Sequence, residues 1–233
     1  MKVLNASGNP KITTVNHLVK LEILDASYYS GINDTGIMCC ANLKTLNATS
    51  NSKITSVNHL VNLETLFASY NCGINDAGIM HCINLKSLNV SHNPKITSVN
   101  HLVKLETLDA RGCIINDVGI IHCINLKSLN VTYNPNITNI NHLAKLEILY
   151  ASRESRINDA GIMHCINLKS LNVSHNPNIT NINHLVKLEI LVASSTCGIN
   201  DYGIMHCINL KSLDVSHKDR KSTRLNSSHG YRS

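Results

Sequence analysis

The sequence predicts an α/β solenoid, a stack of short parallel strands joined by compact turns. Residues 85–105 carry apolar side chains in the pattern LxxLxVxxNxxIxxVxxLxxL, and near copies of this stretch recur at steps of 41 or 42 residues. A second type of unit, such as residues 105–126, lies between successive copies. One unit of about twenty residues cannot bury its own apolar face, so the units must stack on one another to form a core.

Each first unit is predicted to contain one strand and a tight return. The residues from Leu88 to Ser91 alternate between apolar and polar, which is typical of a short strand. From Ile96 to Leu105 an apolar residue occurs at every third position, which favours a 3-10 or single-turn helical return. The strands are therefore expected to form one parallel sheet, with short helical or 3-10 turns on the opposite side.

The two unit types resemble leucine-rich repeats over residues 1–218. The first resembles the short subtype whose prototype is a phosphatase regulator. The second resembles the cysteine-containing subtype of ubiquitin-ligase adaptors, because residues 123–129 (CINLKSL) and 115–120 (INDVGI) echo its opening and its turn. The resemblance implies a right-handed solenoid with a concave sheet and convex turns. This fold hosts receptors, adaptors and enzyme regulators, so it specifies function only weakly.

Both ends of the chain differ from its middle. Met1, Lys2 and Leu4 align with the interior of a repeat, so residues 1–218 are interpreted as a solenoid fragment that is uncapped at both ends. Residues 219–229 (DRKSTRLNSSH) look like the translation of a sequencing-library adapter. Residues 219–233 are therefore interpreted as a disordered tail of artefactual origin. We expect the uncapped apolar edges to promote self-association.

Without this tail, the net charge of the chain is half as large. The whole chain carries 21 Lys and Arg against 15 Asp and Glu, a net charge of +6, and the tail contributes half of it. The remaining lysines alternate with glutamates on successive strands, as Lys86 and Glu106 do, which predicts a ladder of opposite charges rather than a basic patch. No nucleic-acid partner is predicted. No apolar run is long enough to span a membrane, so no membrane partner is predicted either.

Repeated cysteines and histidines are interpreted as structural. One cysteine recurs in every second unit, about 10 Å from the next, which is too far for a disulfide. We expect these thiols to be buried, and a chain with so many unpaired cysteines suits the reducing cytoplasm. Imidazoles of neighbouring units offer a conceivable metal site, but a uniform column is not a local cluster, so no metal or other cofactor is predicted. The cysteine column is Cys40, Cys82, Cys123, Cys165 and Cys207.

An asparagine follows the strand in every first unit. The family resemblance implies that these side chains form a buried ladder whose amides bond the backbone of adjacent units. The ladder residues are Asn9, Asn51, Asn93, Asn134 and Asn176. The second unit has no recurring asparagine at this place, which puts half of the ladder in doubt. The residues at the equivalent place are Tyr29, Asn71, Cys113, Glu154 and Thr196.

The outward strand positions of the second unit vary most between copies. Their core leucine and alanine positions recur, and strand side chains alternate between faces, so the variable residues are expected to line the concave sheet. Tyrosine and arginine often anchor interfaces. The predicted partner-binding residues are Asp25, Ser27, Tyr28, Phe67, Ser69, Tyr70, Asp109, Arg111, Tyr150, Ser152, Arg153, Val192 and Ser194.

No sequence pattern of a catalytic nucleophile, a phosphate-binding loop or a metalloprotease helix occurs, so no enzyme activity is predicted. The sequence instead predicts a scaffold that binds a protein or peptide on its concave face. Two other roles stay open: the substrate-recognition part of a ubiquitin-ligase adaptor or enzyme regulatory subunit, and a structural spacer. Drift at unconstrained surface positions is the competing explanation of the variable residues.

Overall fold

The computed structural model describes residues 1–216 and has the predicted fold class, a parallel β-solenoid with short turns opposite the sheet. Residues 219–233, interpreted above as a tail, lie outside the described residues. Eleven strands form one sheet in chain order. They are β1 (Val3–Asn5), β2 (Ile23–Asp25), β3 (Thr45–Asn47), β4 (Thr65–Phe67), β5 (Ser87–Asn89), β6 (Thr107–Asp109), β7 (Ser128–Asn130), β8 (Ile148–Tyr150), β9 (Ser170–Asn172), β10 (Ile190–Val192) and β11 (Ser212–Asp214).

A leucine at the centre of each strand sets the register of the sheet. Leu66 on β4, for example, pairs with Leu46 on β3 and with Leu88 on β5. The central leucines of β2 to β10 are buried, whereas Leu4 and Leu213 on the end strands are partly exposed, and the residues on either side of each leucine face outward. Because side chains alternate along a strand, three residues are enough to place one anchor in the core and two side chains on the concave face.

Among residues 1–216, helical turns occur in the second unit alone. Four are 3-10 turns, Thr35–Ile37, Asp76–Ile79, Val118–Ile120 and Asp159–Ile162, and the fifth is one α-helical turn, Asp201–Ile204. The first unit returns through isolated turns, so the prediction of a helical return from Ile96 to Leu105 is wrong there. Leu102 N donates to Val99 O at 2.9 Å and Leu105 N to Leu102 O at 3.0 Å, so successive single turns produce the spacing of three.

Repeated polar residues on the convex side join each unit to its neighbour. Asp76 accepts hydrogen bonds from Thr97 N at 2.8 Å and from Thr97 Oγ1 at 2.5 Å. His101 Nε2 lies 3.0 Å from Ile79 O, and Asn58 Nδ2 donates to Ala77 O at 2.7 Å. The histidine column is therefore part of the inter-unit bonding. Within residues 1–216 no group of three or more potential ligands is placed to hold a metal ion.

The ladder of opposite charges occurs along the sheet, as predicted. Lys86 Nζ lies 2.8 Å from Glu64 Oε2, and Lys127 Nζ lies 2.8 Å from Glu106 Oε2. The hydrogen bond from Lys86 lowers the pKa of Glu64 below its ordinary value. All four side chains are well exposed, so these pairs favour the register of neighbouring strands more than they stabilise the fold. No helix of residues 1–216 is long and apolar enough to cross a membrane.

Four of the five predicted ladder asparagines are buried: Asn51, Asn93, Asn134 and Asn176. Asn93 Nδ2 donates to Ala68 O and Ile74 O, and these two carbonyls belong to the preceding second unit. The prediction of a buried ladder is wrong for Asn9, which is exposed. No unit precedes it among the described residues, so its amide has no such carbonyls to reach.

In the second unit, a serine or cysteine fills the corner that asparagine fills in the first. Most of these corners lie one residue later than the spacing of the repeats predicts. Asn71, for example, is exposed, and the next residue, Cys72, is buried. The loop of a 22-residue unit holds one extra residue, which moves the corner one position later. Cys113 belongs to the 21-residue unit, so its corner lies where the spacing predicts. The corner residues are Ser30, Cys72, Cys113, Ser155 and Cys197.

The cysteine column is buried, as predicted. Cys82 Sγ donates to Val57 O of the preceding unit at 3.5 Å. Burial raises the pKa of Cys82 to about 11 and that of Cys165 to about 12. The reactive thiolate is therefore scarce at these positions in neutral solution.

The nine thiols should fall into distinct reactivity classes in the folded protein. At about pH 8 we expect an aromatic disulfide reagent to label the exposed Cys39 quickly and the half-buried Cys197 slowly, while seven buried thiols react only after unfolding. Cys39→Ser should remove the fast phase alone. Rapid labelling of all nine thiols before denaturant is added would contradict the buried column.

Candidate binding face

The concave face consists of the two outward positions of each strand and the residues that follow them. Phe67 ends β4 and Tyr150 ends β8, and these side chains are 38% and 40% exposed. Val192 occupies the same position on β10 and is half-buried. Asp25 on β2 accepts hydrogen bonds from Ser27 N and from Asn47 Nδ2, so it is partly engaged within the sheet. With Asp109 at the end of β6, five of the predicted residues therefore lie on the strands themselves.

Three predicted site residues are not surface residues: Ser27, Ser69 and Ser152 are buried. The expectation that they face solvent is wrong, because each lies just beyond the strand end, where the chain turns and its hydroxyl meets the neighbouring unit. Ser69 Oγ lies 3.0 Å from Thr49 Oγ1, and Ser27 Oγ lies 2.9 Å from Ser7 Oγ. Ser152 and the half-buried Ser194 make the same kind of contact with the preceding unit. These hydroxyls join neighbouring units.

Tyr28, Tyr70 and Arg153 lie on a rim where each unit leaves the sheet. We define the rim as the fourth residue after each strand leucine, from Gly8 to Ser195. Its backbone is left-handed in ten consecutive units, with φ of 57° at Tyr70 and 62° at Arg153. Only two rim residues are glycine, so the stacked units hold the others in a conformation that costs about 1 kcal/mol or more per residue. The first-unit rim residues His92, Tyr133 and His175 were not predicted, although the constant offset of four could have located them.

Ring contacts order the rim into two pairs. Tyr70 and His92 stack with ring centroids 5.2 Å apart and an interplanar angle of 21°. Arg153 Cζ lies 5.1 Å from the centroid of the Tyr133 ring, a cation–π contact. Gly112 separates the pairs, and a Cβ atom there would lie 2.5 Å from His92 Nδ1. The rim therefore presents its aromatic side chains in fixed positions.

Asp109 and Arg111 form an ion pair at the centre of the concave face. Arg111 Nη2 lies 2.8 Å from Asp109 Oδ2, and Arg111 Nε donates to Asp109 Oδ1 at 3.0 Å. The hydrogen bond to Asp109 raises the pKa of Arg111. Each group neutralises the other, so the centre of the face offers fixed polar groups and little net charge.

Two isoleucines that were not predicted as site residues extend the concave face. Ile148 and Ile190 open β8 and β10, and both register with Ser170 on β9. They share the face of Tyr150 and Val192 because residues two apart on a strand point the same way. Their spacing of two residues from Tyr150 and Val192 could have located them. The four side chains lie on one face near the end of the described sheet, with Ser170 and Asn172 of β9 between the two pairs.

The repeating units of this solenoid are similar to leucine-rich repeats. Family models for leucine-rich repeats match residues 61–104 as two copies, and residues 122–140 and 164–182 as single repeats. These matches do not distinguish the phosphatase-regulator subtype from the cysteine-containing subtype.

Comparison with known proteins places the fold among solved leucine-rich-repeat structures. An internalin (inlF) from Listeria monocytogenes matches with 22% identity and a TM-score of 0.72, over 92% of this chain and 66% of that one. Internalin C2 (inlC2) from the same organism matches with 20% identity and a TM-score of 0.54, over 82% of this chain and 79% of that one. No curated protein matches the chain in sequence. At these identities the likeness describes the fold.

Proposed function

We propose that the chain is a non-enzymatic scaffold whose concave face and rim bind a protein or peptide. The location of the aromatic residues supports this proposal most strongly. The chain has one phenylalanine and seven tyrosines. Five of these eight lie on the concave face or rim, and all five are exposed: Tyr28, Phe67, Tyr70, Tyr133 and Tyr150.

Exposed aromatic side chains supply large apolar area at little entropic cost, which is why they often anchor interfaces. On the convex side, uniformity has a structural cause, because residues such as Asn58, Asp76 and His101 bond a neighbouring unit. Within residues 1–216, the side chains of Phe67 and Tyr150 make no hydrogen bond or ring contact with another unit. Their variation between units is therefore best explained by a partner that contacts them.

A stack of rigid units needs little ordering when it binds, which favours affinity from a modest number of anchors. We extend the proposal to a cytoplasmic setting without nucleic-acid or membrane partners. All nine cysteines are free, which suits a reducing compartment. The charged residues of the sheet pair as Lys and Glu rather than forming a basic patch.

A selection from a random twelve-residue peptide library tests the proposal. We expect enriched peptides to bind the Phe67→Ala/Tyr150→Ala double variant at least about 30-fold more weakly, since one lost hot spot of about 2 kcal/mol already gives this factor. Anisotropy titration of labelled peptides measures the change.

Tyr202→Ala is the matched control, because Tyr202 is 82% exposed and lies in the convex turn Asp201–Ile204. This variant should bind the peptides as the parent chain does. Peptides that bind the parent chain and the double variant equally would refute the concave face as the binding site.

A further inference from the structure

Asparagine side chains on the concave face have a fixed orientation. Asn89 Oδ1 accepts a hydrogen bond from Ser91 N at 2.9 Å. Asn130 Oδ1 accepts from Thr132 N and Asn172 Oδ1 from Ser174 N, both at 3.1 Å. These bonds occupy the amide oxygens. The Nδ2 groups of all three residues are left without a partner among residues 1–216, so they face the concave side as hydrogen-bond donors.

These donors recur on β5, β7 and β9, because only the first unit carries them, whereas the amide of Asn47 on β3 donates to Asp25. The strands between them carry the variable residues, including Phe67 on β4 and Tyr150 on β8. Neighbouring strands lie about 4.8 Å apart, so each set repeats at about 9.6 Å along the solenoid axis. The concave face therefore has a chemical period of two strands.

We infer that the occupant of this face is a proline-rich peptide in the polyproline II conformation, lying along the solenoid axis. This inference rests on the proposed function and specifies its partner. A polyproline II helix has three residues per turn and a rise of about 3.1 Å, so its side chains return to one face every 9.3 Å or so. Over three periods the accumulated lengths of the peptide repeat and the protein repeat differ by only about 1 Å.

Other regular peptides fit this period less well. Two turns of an α-helix span about 10.5 to 11 Å, which accumulates a mismatch of about 3 Å or more over three periods. A β-strand returns to the same face every 6.6 Å or so, which is not a divisor of the period. The period of the face therefore disfavours both an α-helix and a β-strand.

The hydrogen-bonding chemistry of the face selects in the same direction. A polyproline II helix has no internal hydrogen bonds, so its carbonyl oxygens are free to accept from Asn89 and Asn130. An α-helix keeps most of its carbonyls in its own bonds. Proline-rich segments also dock against exposed aromatic side chains. The paired Asp109 and Arg111 leave the centre of the face nearly neutral, which matches an uncharged peptide.

The register of the peptide follows from the strand order. Phe67 and Tyr150 lie four strands apart, about 19 Å, which corresponds to six polyproline II residues. Asn89 and Asn130 lie two strands apart, or three residues. We expect apolar residues at positions i and i+6, and a polar residue at i+3 opposite the ion pair.

Two labelled twelve-residue oligoprolines of equal composition test the inference by anisotropy. One carries leucine at two positions six residues apart and glutamine midway between them, so that all three side chains share a face. The other carries the same two leucines and glutamine on three different faces. We expect the first to bind at least about 10-fold tighter, a difference of about 1.4 kcal/mol. The Phe67→Ala/Tyr150→Ala variant should lose this preference.

The donor role is tested by Asn130→Asp. The new carboxylate can still accept from Thr132 N but repels a peptide carbonyl, so the first peptide should bind several-fold more weakly. It also lies opposite Asp109 on the neighbouring strand, so the melting temperature should fall slightly without loss of the fold. Asn136→Asp is the control, because Asn136 is exposed on the turn after the ladder. Equal binding of the two peptides, or no binding of either at about 1 mM, would overturn the inference. The selection from the random peptide library tests the concave face independently of this inference, since its peptides are not restricted to proline-rich sequences.

Discussion

Asn93→Ala is expected to destabilise the solenoid by about 3 kcal/mol or more. The Asn93 amide is fully buried and makes three hydrogen bonds. Its Nδ2 donates to Ala68 O at 2.8 Å and to Ile74 O at 3.1 Å, while its Oδ1 accepts from Lys95 N at 2.9 Å. Truncation leaves the two carbonyls of the preceding unit without this donor. Each buried polar group left unpaired costs about 1 to 3 kcal/mol.

Urea denaturation followed by circular dichroism measures this loss. Asn9→Ala supplies a control within the same column, because Asn9 is exposed and its side chain accepts only from Lys11 N. We expect the control to change the free energy of unfolding by less than about 1 kcal/mol. Similar losses in the two variants would mean that the bonds between units are not what stabilises the ladder.

The sequence was sufficient to predict the solenoid because its core obeys one rule in every unit. A leucine such as Leu88 must occupy the centre of the strand, where it packs against Leu66 and Leu108 of the neighbouring strands. Any unit that lost this pattern could not stack. The Lys–Glu ladder was predictable for the same reason, since charges that flank the strand follow its register.

The sequence was insufficient where two structures share one spacing. A period of three fits both a 3-10 helix and a run of isolated turns, and the first unit adopts the turns. In the second unit an extra loop residue moves the corner from Asn71 to Cys72, a shift that no apolar period records. Ser69 shows a further limit: alternation assigns it to solvent, but the chain turns there and buries the hydroxyl.

Part of the candidate site was predictable and part was not. Phe67 and Tyr150 follow from the period of two, and the structure exposes both. The rim depends on a left-handed backbone at residues such as Tyr70, which neighbouring units impose and local preference does not indicate. In the first unit the outward strand positions barely change between copies, so variation does not point to its rim. A side chain's role in this fold depends on the unit beside it.

Gly78→Ala is expected to cost about 3 kcal/mol or more, although it adds a single methyl group. Gly78 lies in the 3-10 turn Asp76–Ile79, and a Cβ atom there would lie 2.1 Å from Thr55 O of the preceding unit. The obstacle is backbone, so no side-chain rotation relieves it. Gly78 O also accepts from Val57 N at 2.9 Å, and a shift that makes room for the methyl group would strain this bond between units.

Gly8→Ala separates this clash from the ordinary cost of replacing glycine. Gly8 has a φ of +66°, and a Cβ atom there would have no other atom within 4 Å, so only the left-handed backbone opposes alanine, at about 1 to 2 kcal/mol. Urea denaturation should place Gly78→Ala well below Gly8→Ala in stability. Its transition should also broaden, because weakening one contact between units uncouples the two sides of a stack held together by nearest neighbours. Equal stability of the two variants would show that the units can separate enough to admit a side chain, and close stacking would then not be what requires glycine.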